Sequence, residues 1–262
     1  MPVFYDQMNN AVNLPDTPRR IISIVPSQTE LLFDLSRGGQ IVGITKFCIH
    51  PADIVKQVAK VGGTKQLNLQ AIYKLKPDLI IANKEENEQS QVEELMRHYP
   101  VWVSDIHDLH SALSMINKLG EVTGKQTEAS ALSNEIFKRF GYIKPISKQT
   151  RVAYFIWRKP YMAAGQGTFI NSMLKLCGLT NVLSAGRYPE LTIDKIKAAR
   201  PDVILLSSEP YPFVQKHIEE FKKMLPDAKV LLVDGELFSW YGSRLLHSPG
   251  YFNKLIDKLT SM

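Results

Sequence analysis

Leu69-Gln70-Ala71-Ile72-Tyr73-Lys74-Leu75-Lys76-Pro77-Asp78-Leu79-Ile80-Ile81 and Ile193-Asp194-Lys195-Ile196-Lys197-Ala198-Ala199-Arg200-Pro201-Asp202-Val203-Ile204-Leu205 carry one instruction written twice. In each, apolar residues at helical spacing run into Pro-Asp, and an unbroken apolar run follows. Proline lacks the amide a helix needs and clashes with the preceding turn, so the helix stops there. The run after it is short and apolar without alternation, as in a strand buried on both faces. Each stretch therefore reads as helix, stop and buried strand, the repeating half of a parallel α/β unit.

Working outward, the first copy extends to strands at 21–25, 41–44, 79–82 and 101–104, with helices from about Ser27 to Leu35, at 68–75 and at 88–98. The second copy repeats the order. It has strands at 152–156, 203–207 and 230–233, an extended piece near Asn181 to Leu183, and helices from about Thr168 to Leu176, at 192–199 and at 213–224. Between them, Leu109, Ala112, Leu113, Ile116 and Leu119, then Leu132, Ile136 and Phe140, keep helical spacing, and no Gly/Ser linker intervenes. The expected architecture is α/β: two similar lobes with mainly parallel sheets flanked by helices, bridged by a long α-helix. The lobes are expected at residues 1–106 and 151–262 with a bridging helical segment at 107–150, and a cleft between lobes is the natural ligand site.

Composition bounds the rest. The 262 residues are 44% hydrophobic and 22% charged, which fits a globular chain. No apolar run approaches the roughly twenty residues of a membrane span. Cys48 and Cys177 lie far apart and are expected as reduced thiols or buried small residues. The net charge of +6 is concentrated late, since residues 151–262 hold fifteen Lys and Arg against ten Asp and Glu. These cations are scattered along helices as on a solvated face, so no nucleic-acid partner is expected. The start of the chain has no basic, apolar and small-residue pattern of a secretory signal, which predicts a cytoplasmic protein or one whose export segment has been removed.

Ligands of parallel α/β folds bind at the carboxyl ends of strands. Ser27 and Glu30 there have capping-box spacing, and the helix they open has free amides for a polar or anionic group. Thr45-Lys46-Phe47-Cys48-Ile49-His50-Pro51 offers a ring to stack on a planar ligand, with Lys46 or His50 to meet a carboxylate, amide or metal; Phe47 and Cys48 plugging the rim is the equal alternative. Glu85, Glu86 and Glu88 follow one strand, and Glu209 stands at Glu85's distance from the second Pro-Asp. Such carboxylates favour a helix start, and recurring in both halves they also suit an arginine-bearing partner. The second half adds Trp157, Tyr188, Tyr211, Phe213, Glu236, Trp240, Tyr241 and Arg244, an aromatic density typical of a pocket lining. Gly165-Gln166-Gly167-Thr168 is a weak phosphate signal, lacking the remaining residues of a dinucleotide fingerprint or P-loop. No nucleophile elbow, zincin motif or cluster of zinc ligands occurs, so no catalytic residue and no metal ligand is assigned.

Arg20 to Leu32, Val42 to Pro51, Val61-Gly62-Gly63-Thr64-Lys65 and Lys76 to Ile80 resemble the helical-backbone substrate-binding proteins of ABC importers, most closely the cobalamin-binding BtuF type. Tyr188-Pro189-Glu190 and Ser208 to Phe213 extend the resemblance over nearly the whole chain after Arg20. It implies a non-enzymatic monomer with no built-in cofactor, bridged by a helix from about Gln126 to Tyr142. Its transported ligand would be a corrinoid or iron chelate. It also implies aromatic contacts from Phe47, Trp157, Trp240 and Tyr241, an acidic contact from Glu236, and permease docking through Glu86, Glu88 and Glu209. Family members work outside the cytoplasm, so periplasmic or extracytoplasmic placement is implied, against the reading of the chain's start.

The combined expectation is a protein that closes on cobalamin or another corrinoid, with Ser27, Lys46, Phe47, Cys48, Trp157, Tyr188, Glu236, Trp240, Tyr241 and Arg244 at the ligand. An iron–siderophore or haem carrier is the second expectation, suited to the basic second half. The rival from another class is a cytoplasmic two-lobed α/β enzyme built on Lys46, Cys48 and His50, with Lys46 depressing the pKa of the Cys48 thiol.

Overall fold

The computed structural model describes residues 2–261. The chain divides into two compact units. Unit 1 holds the residues up to Ile106, His110–Lys138 and Trp240–Arg244; unit 2 holds His107–Leu109, Arg139–Ser239 and the chain from Leu245 on.

Unit 1 opens with a small antiparallel hairpin of β1 (Val3–Tyr5) and β2 (Ala11–Asn13). Its main elements follow as β3 (Ile21–Ser23), α1 (Pro26–Asp34), β4 (Ile41–Ile44), α2 (Ala52–Val55), β5 (Ala59–Lys60), α3 (Leu69–Leu75), β6 (Leu79–Asn83), α4 (Gln89–Met96) and β7 (Val101–Ser104). The five strands are all parallel in the order β5-β4-β3-β6-β7. Two further helices, α5 (Leu109–Thr123) and α6 (Gln126–Phe140), lie mostly in this unit, and the chain passes into unit 2 within α6. The apolar runs read as buried strands are the core: Ile22, Ile80 and Ala82 pack with Ile72, Val92 and Leu95 from the covering helices.

Unit 2 continues with β8 (Thr150–Trp157), β9 (Tyr161–Ala163), α7 (Phe169–Leu176), β10 (Leu179–Asn181), β11 (Glu190–Leu191), α8 (Ile193–Ala199), β12 (Val203–Ser207), α9 (Gln215–Met224), β13 (Lys229–Val233), α10 (Glu236–Ser239) and α11 (Ser248–Thr260). The strands β10, β8, β12 and β13 are parallel, while β9 and β11 add an antiparallel edge. This sheet is also closed by large residues, with Phe155, Phe213 and Phe221 beside Ile204 and Leu206.

The sequence repeat is one physical device used in both units. Helices α3 and α8 each end on a left-handed residue, Lys76 and Arg200, because the following proline disfavours the right-handed helical region. The Asp after that proline turns back to the strand beside it. Asp78 accepts the amides of Arg19 and Arg20 at 2.8 and 2.9 Å, and Asp202 accepts the amide of Arg151 at 2.7 Å. The same arginines then satisfy the helix's last carbonyls, Arg20 at Leu75 (2.6 Å) and Arg151 at Ala199 (2.7 Å). Helix stop, strand start and strand neighbour are thereby fixed by one Pro-Asp and one distant arginine.

Candidate functional site

The carboxyl end of β3 runs directly into α1, and here the capping-box expectation is corrected. Pro26 takes the first helical position, which its fixed φ suits, so Val25 becomes the N-cap and Ser27 lies inside the helix. Ser27 Oγ is buried without a hydrogen-bond partner among the described residues, and Glu30 turns away to Arg244.

After β4, Lys46 anchors its amide on Gly62 (2.8 Å) and carries its ammonium 5.1 Å from the centre of the Phe47 ring. Phe47 is 50% exposed, whereas Cys48 behind it is 2% exposed. The Cys48 sulfur lies 3.1 Å from Thr29 Oγ1 and 3.3 Å from Thr45 Oγ1. Burial pushes this thiol's pKa up, with Glu86 adding to the rise and the two threonine hydroxyls opposing it. A depressed nucleophile does not form, because desolvation of the thiolate outweighs any local donor. His50 instead presents its ring to Trp240, 5.4 Å away and edge-on.

The loop after β6 is shaped by buried amides that sequence reading missed. Asn83 accepts the amides of Glu85 (2.8 Å) and Glu86 (2.9 Å) and donates to Ser104 Oγ (3.0 Å). Asn87 accepts the amide of Asn83 (2.7 Å) and donates to the carbonyls of Ile24 (3.0 Å) and Thr64 (3.2 Å). Two asparagines flanking a Glu-Glu pair just past a buried strand were the available signal. They fix Glu86, whose carboxylate accepts the Tyr241 hydroxyl, while Glu88 is the exposed N-cap of α4.

Residues 240–244 complete this face of unit 1. Trp240 and Tyr241 are each only 6% exposed. Arg244 grips Glu30 with two bonds, Nε to Oε2 at 2.9 Å and Nη2 to Oε1 at 2.5 Å, while lying 5.0 Å from the Trp240 ring centre. Ser243 donates to Asp34. Gly242 permits this approach, since a Cβ there would stand 2.5 Å from the Ser27 carbonyl oxygen.

In unit 2, Trp157 ends β8 at 39% exposure, edge-on to Tyr211 at 5.7 Å, with its indole N–H donating to the Lys159 carbonyl (3.2 Å). Tyr188 and Glu236 are half-buried, Tyr188 in the stretch before β11 and Glu236 at the head of α10. Glu209 accepts the hydroxyl of Ser239 at 2.6 Å. Thr168, 1% exposed, caps α7 by accepting the amide of Asn171 (3.1 Å), which gives the Gly-x-Gly-Thr piece a structural use.

Behind Trp157 lies a network that the sequence did not reveal. Arg158 donates to Glu220 at 2.7 and 2.9 Å, and Tyr161 donates to the same carboxylate. Although burial works to raise the Glu220 pKa, these two partners hold it below the usual carboxylate range. Burial and the Glu220 bond push the Tyr161 phenol up to about 12. His217, 2% exposed, accepts the amide of Val214 on Nδ1 (2.8 Å), which makes Nε2 the protonated nitrogen facing the Tyr211 oxygen at 3.3 Å. Burial, with Arg158 and Lys216 nearby, lowers its pKa.

The native state thus takes up a proton at His217 less readily than the unfolded chain does. Stability from this group is complete above the ordinary histidine value of about 6.5 and is lost as pH falls from there toward the lowered native value. Thermal melts should show a decline below about pH 6.5 that is flattened in His217→Gln, whose amide oxygen can accept the Val214 N–H. An unchanged pH profile in the variant would remove His217 from the account.

Among the described residues, no group of three or more His, Cys, Asp or Glu could hold a metal ion, and no helix is long and apolar enough to cross a membrane.

Residues 21–229 match the family described as periplasmic binding protein. The vitamin B12-binding protein of Pectobacterium carotovorum is 24% identical over 237 residues, covering 87% of this chain and 85% of the relative. Among solved structures, the molybdate periplasmic binding protein MolA of a Haemophilus influenzae ABC transporter superposes with a TM-score of 0.83 at 18% identity, covering 100% of this chain and 92% of MolA. The periplasmic heme-binding protein RhuT of Roseiflexus superposes with a TM-score of 0.78 at 18% identity, covering 91% of this chain and 96% of RhuT. These relatives bind ligands and are not enzymes, which together with the buried, pKa-raised Cys48 retires the enzymatic reading. The chain belongs to the periplasmic binding protein family.

Proposed function

We propose that this protein captures a metal chelate, cobalamin or another corrinoid first, and delivers it to the permease of an ABC importer. The observation that carries the reading is the pair of half-exposed rings at strand carboxyl ends, Phe47 in unit 1 and Trp157 in unit 2. Covering such rings with a large planar ligand gains about 25 cal/mol per Å² of apolar surface removed from water. The vitamin B12-binding relative supports the corrinoid.

In this reading Lys46, Tyr188 and Glu236 add polar contacts, Ser27 and Cys48 back the loop of Phe47, and Trp240, Tyr241 and Arg244 hold the adjoining wall. Glu86, Glu88 and Glu209 meet the permease. The protein works outside the cytoplasm as a monomer, with the chelate as cargo and not as a resident cofactor. The net +5 of residues 151–262 and the heme-binding fold neighbour favour haem or an iron–siderophore as the second reading.

A thermal-shift screen against cyanocobalamin, cobinamide, haem, a ferric hydroxamate and a ferric catecholate separates these, since a ligand of the folded state raises its melting temperature. Corrinoids alone should shift it; strong salt weakening of an iron chelate would mark the second reading. Trp157→Ala and Phe47→Ala should each weaken cyanocobalamin binding about tenfold or more, roughly 1.4 kcal/mol. Lys222→Ala should leave it within about twofold. Equal effects at all three positions would sink the assignment.

A further inference from the structure

Unit 2 contains a concavity of about 590 Å³ that the proposed chelate site does not use. It is walled by Arg139 at the end of α6, Tyr142 just past that helix, Leu237 of α10, and the chain from Leu246 into α11. None of the ten residues assigned to the chelate lines it. Its volume falls within the roughly 300–1,000 Å³ of small-molecule sites.

Of the described residues that line it, Arg139 and Lys254 carry charge, both positive, and His247 adds an imidazole. Arg139 donates to the Leu246 carbonyl at 3.0 Å and is tied to the wall. His247 and Lys254 are exposed at the rim. Asn253 has a structural task, accepting the Lys144 amide (2.9 Å) and donating to the Tyr142 carbonyl (3.0 Å). Leu237, Leu246 and Pro249 supply apolar surface, and apart from its chain neighbours and its own helix backbone no heavy atom lies within 4 Å of where a Cβ on Gly250 would stand. A lysine and an imidazole at a rim above an apolar floor select a ligand with one anionic end and one apolar body.

The geometry points to a second ligand site, for a small amphipathic anion whose charged group pairs with Lys254 and accepts a ring N–H from His247, and whose apolar body rests on Leu237, Leu246 and Pro249.

The test is a fluorescence titration of the whole protein with 8-anilinonaphthalene-1-sulfonate, beside the uncharged N-phenyl-1-naphthylamine. Expected is saturable binding of one sulfonate dye, weakened by salt, with the uncharged dye binding more weakly. Lys254→Glu should weaken the sulfonate about tenfold or more, which is roughly 1.4 kcal/mol. Gly250→Phe, which fills the open space, should abolish binding while leaving the melting temperature near that of the parent. Should either variant melt early, Lys254→Ala takes its place with a smaller loss expected. Absence of saturable binding, equal affinity for the uncharged dye, unchanged affinity in the variants, or displacement of the dye by cyanocobalamin would each overturn the proposal. Because the sulfonate is read independently of any chelate, failure of the corrinoid reading leaves this outcome untouched.

Discussion

Phe238→Ala is expected to lower the free energy of unfolding by about 3–5 kcal/mol, read as a fall in denaturant midpoint at unchanged slope. Phe238 is fully buried in unit 2. Its ring centre lies 4.7 Å from that of Phe252, 5.1 Å from Tyr154 and 6.3 Å from Tyr251. Two of these neighbours cannot readily move into the space left behind. Tyr154 donates its hydroxyl to Ser207 at 3.1 Å, and the Tyr251 oxygen accepts the Asp234 amide at 2.9 Å. A void that its lining cannot fill keeps its full cost. The same ring holds α10, whose Ser239 donates to Glu209, so the variant should also disturb the groups around Glu236 and Glu209. A loss below about 1 kcal/mol would show that the site collapses freely and that this aromatic cluster does not anchor α10.

Arg244→Ala is expected to cost about 2–3 kcal/mol. Truncating one partner of a fully buried ion pair costs roughly 3–5 kcal/mol because the other charge is left desolvated and unpaired. Here the side chains keep 17% and 16% of their exposure, and solvent screening takes the figure down. Arg244→Lys should recover little, since an ammonium cannot reproduce the two-bond fork on Glu30 or the stacking on Trp240. A double-mutant cycle with Glu30→Gln should return a coupling of at least about 1 kcal/mol. A coupling near zero would release Arg244 from this structural task and leave it wholly to the ligand. Cyanocobalamin titrations of the same four proteins would then separate a direct contact from wall support.

The α/β skeleton is legible because its signals are local. Strands 101–104 and 203–207 are readable to the residue: each is a short, mostly apolar run that follows a proline, Pro100 directly and Pro201 through Asp202, and gives way to polar residues at its end. The hairpin of Val3–Tyr5 with Ala11–Asn13 is not legible, since three-residue strands are too short to establish a period. The helix Ser248–Thr260, beyond the last expected strand, carries its own signal: Ser-Pro at its start and Phe252, Leu255 and Ile256 along one buried stripe. At the site, exposed aromatics at strand ends drew attention to Phe47 and Trp157. The supporting asparagines at 83 and 87 and the Arg158–Glu220 pair carry no sequence period and went unread.

What the sequence by itself determined is the βα repeat, because helix stops, buried strands and their order depend on residues within a turn or two of each other. What only the tertiary structure decided is how the polar and aromatic residues at the strand ends are used. Glu30 and Arg244 are 214 positions apart, and Glu86 and Tyr241 are 155 apart. Their pairing exists because Trp240–Arg244 packs within unit 1, with Gly242 against the first turn of α1. Periodicity records which face of an element is apolar; which distant side chain meets that element's end depends on where the folded chain returns.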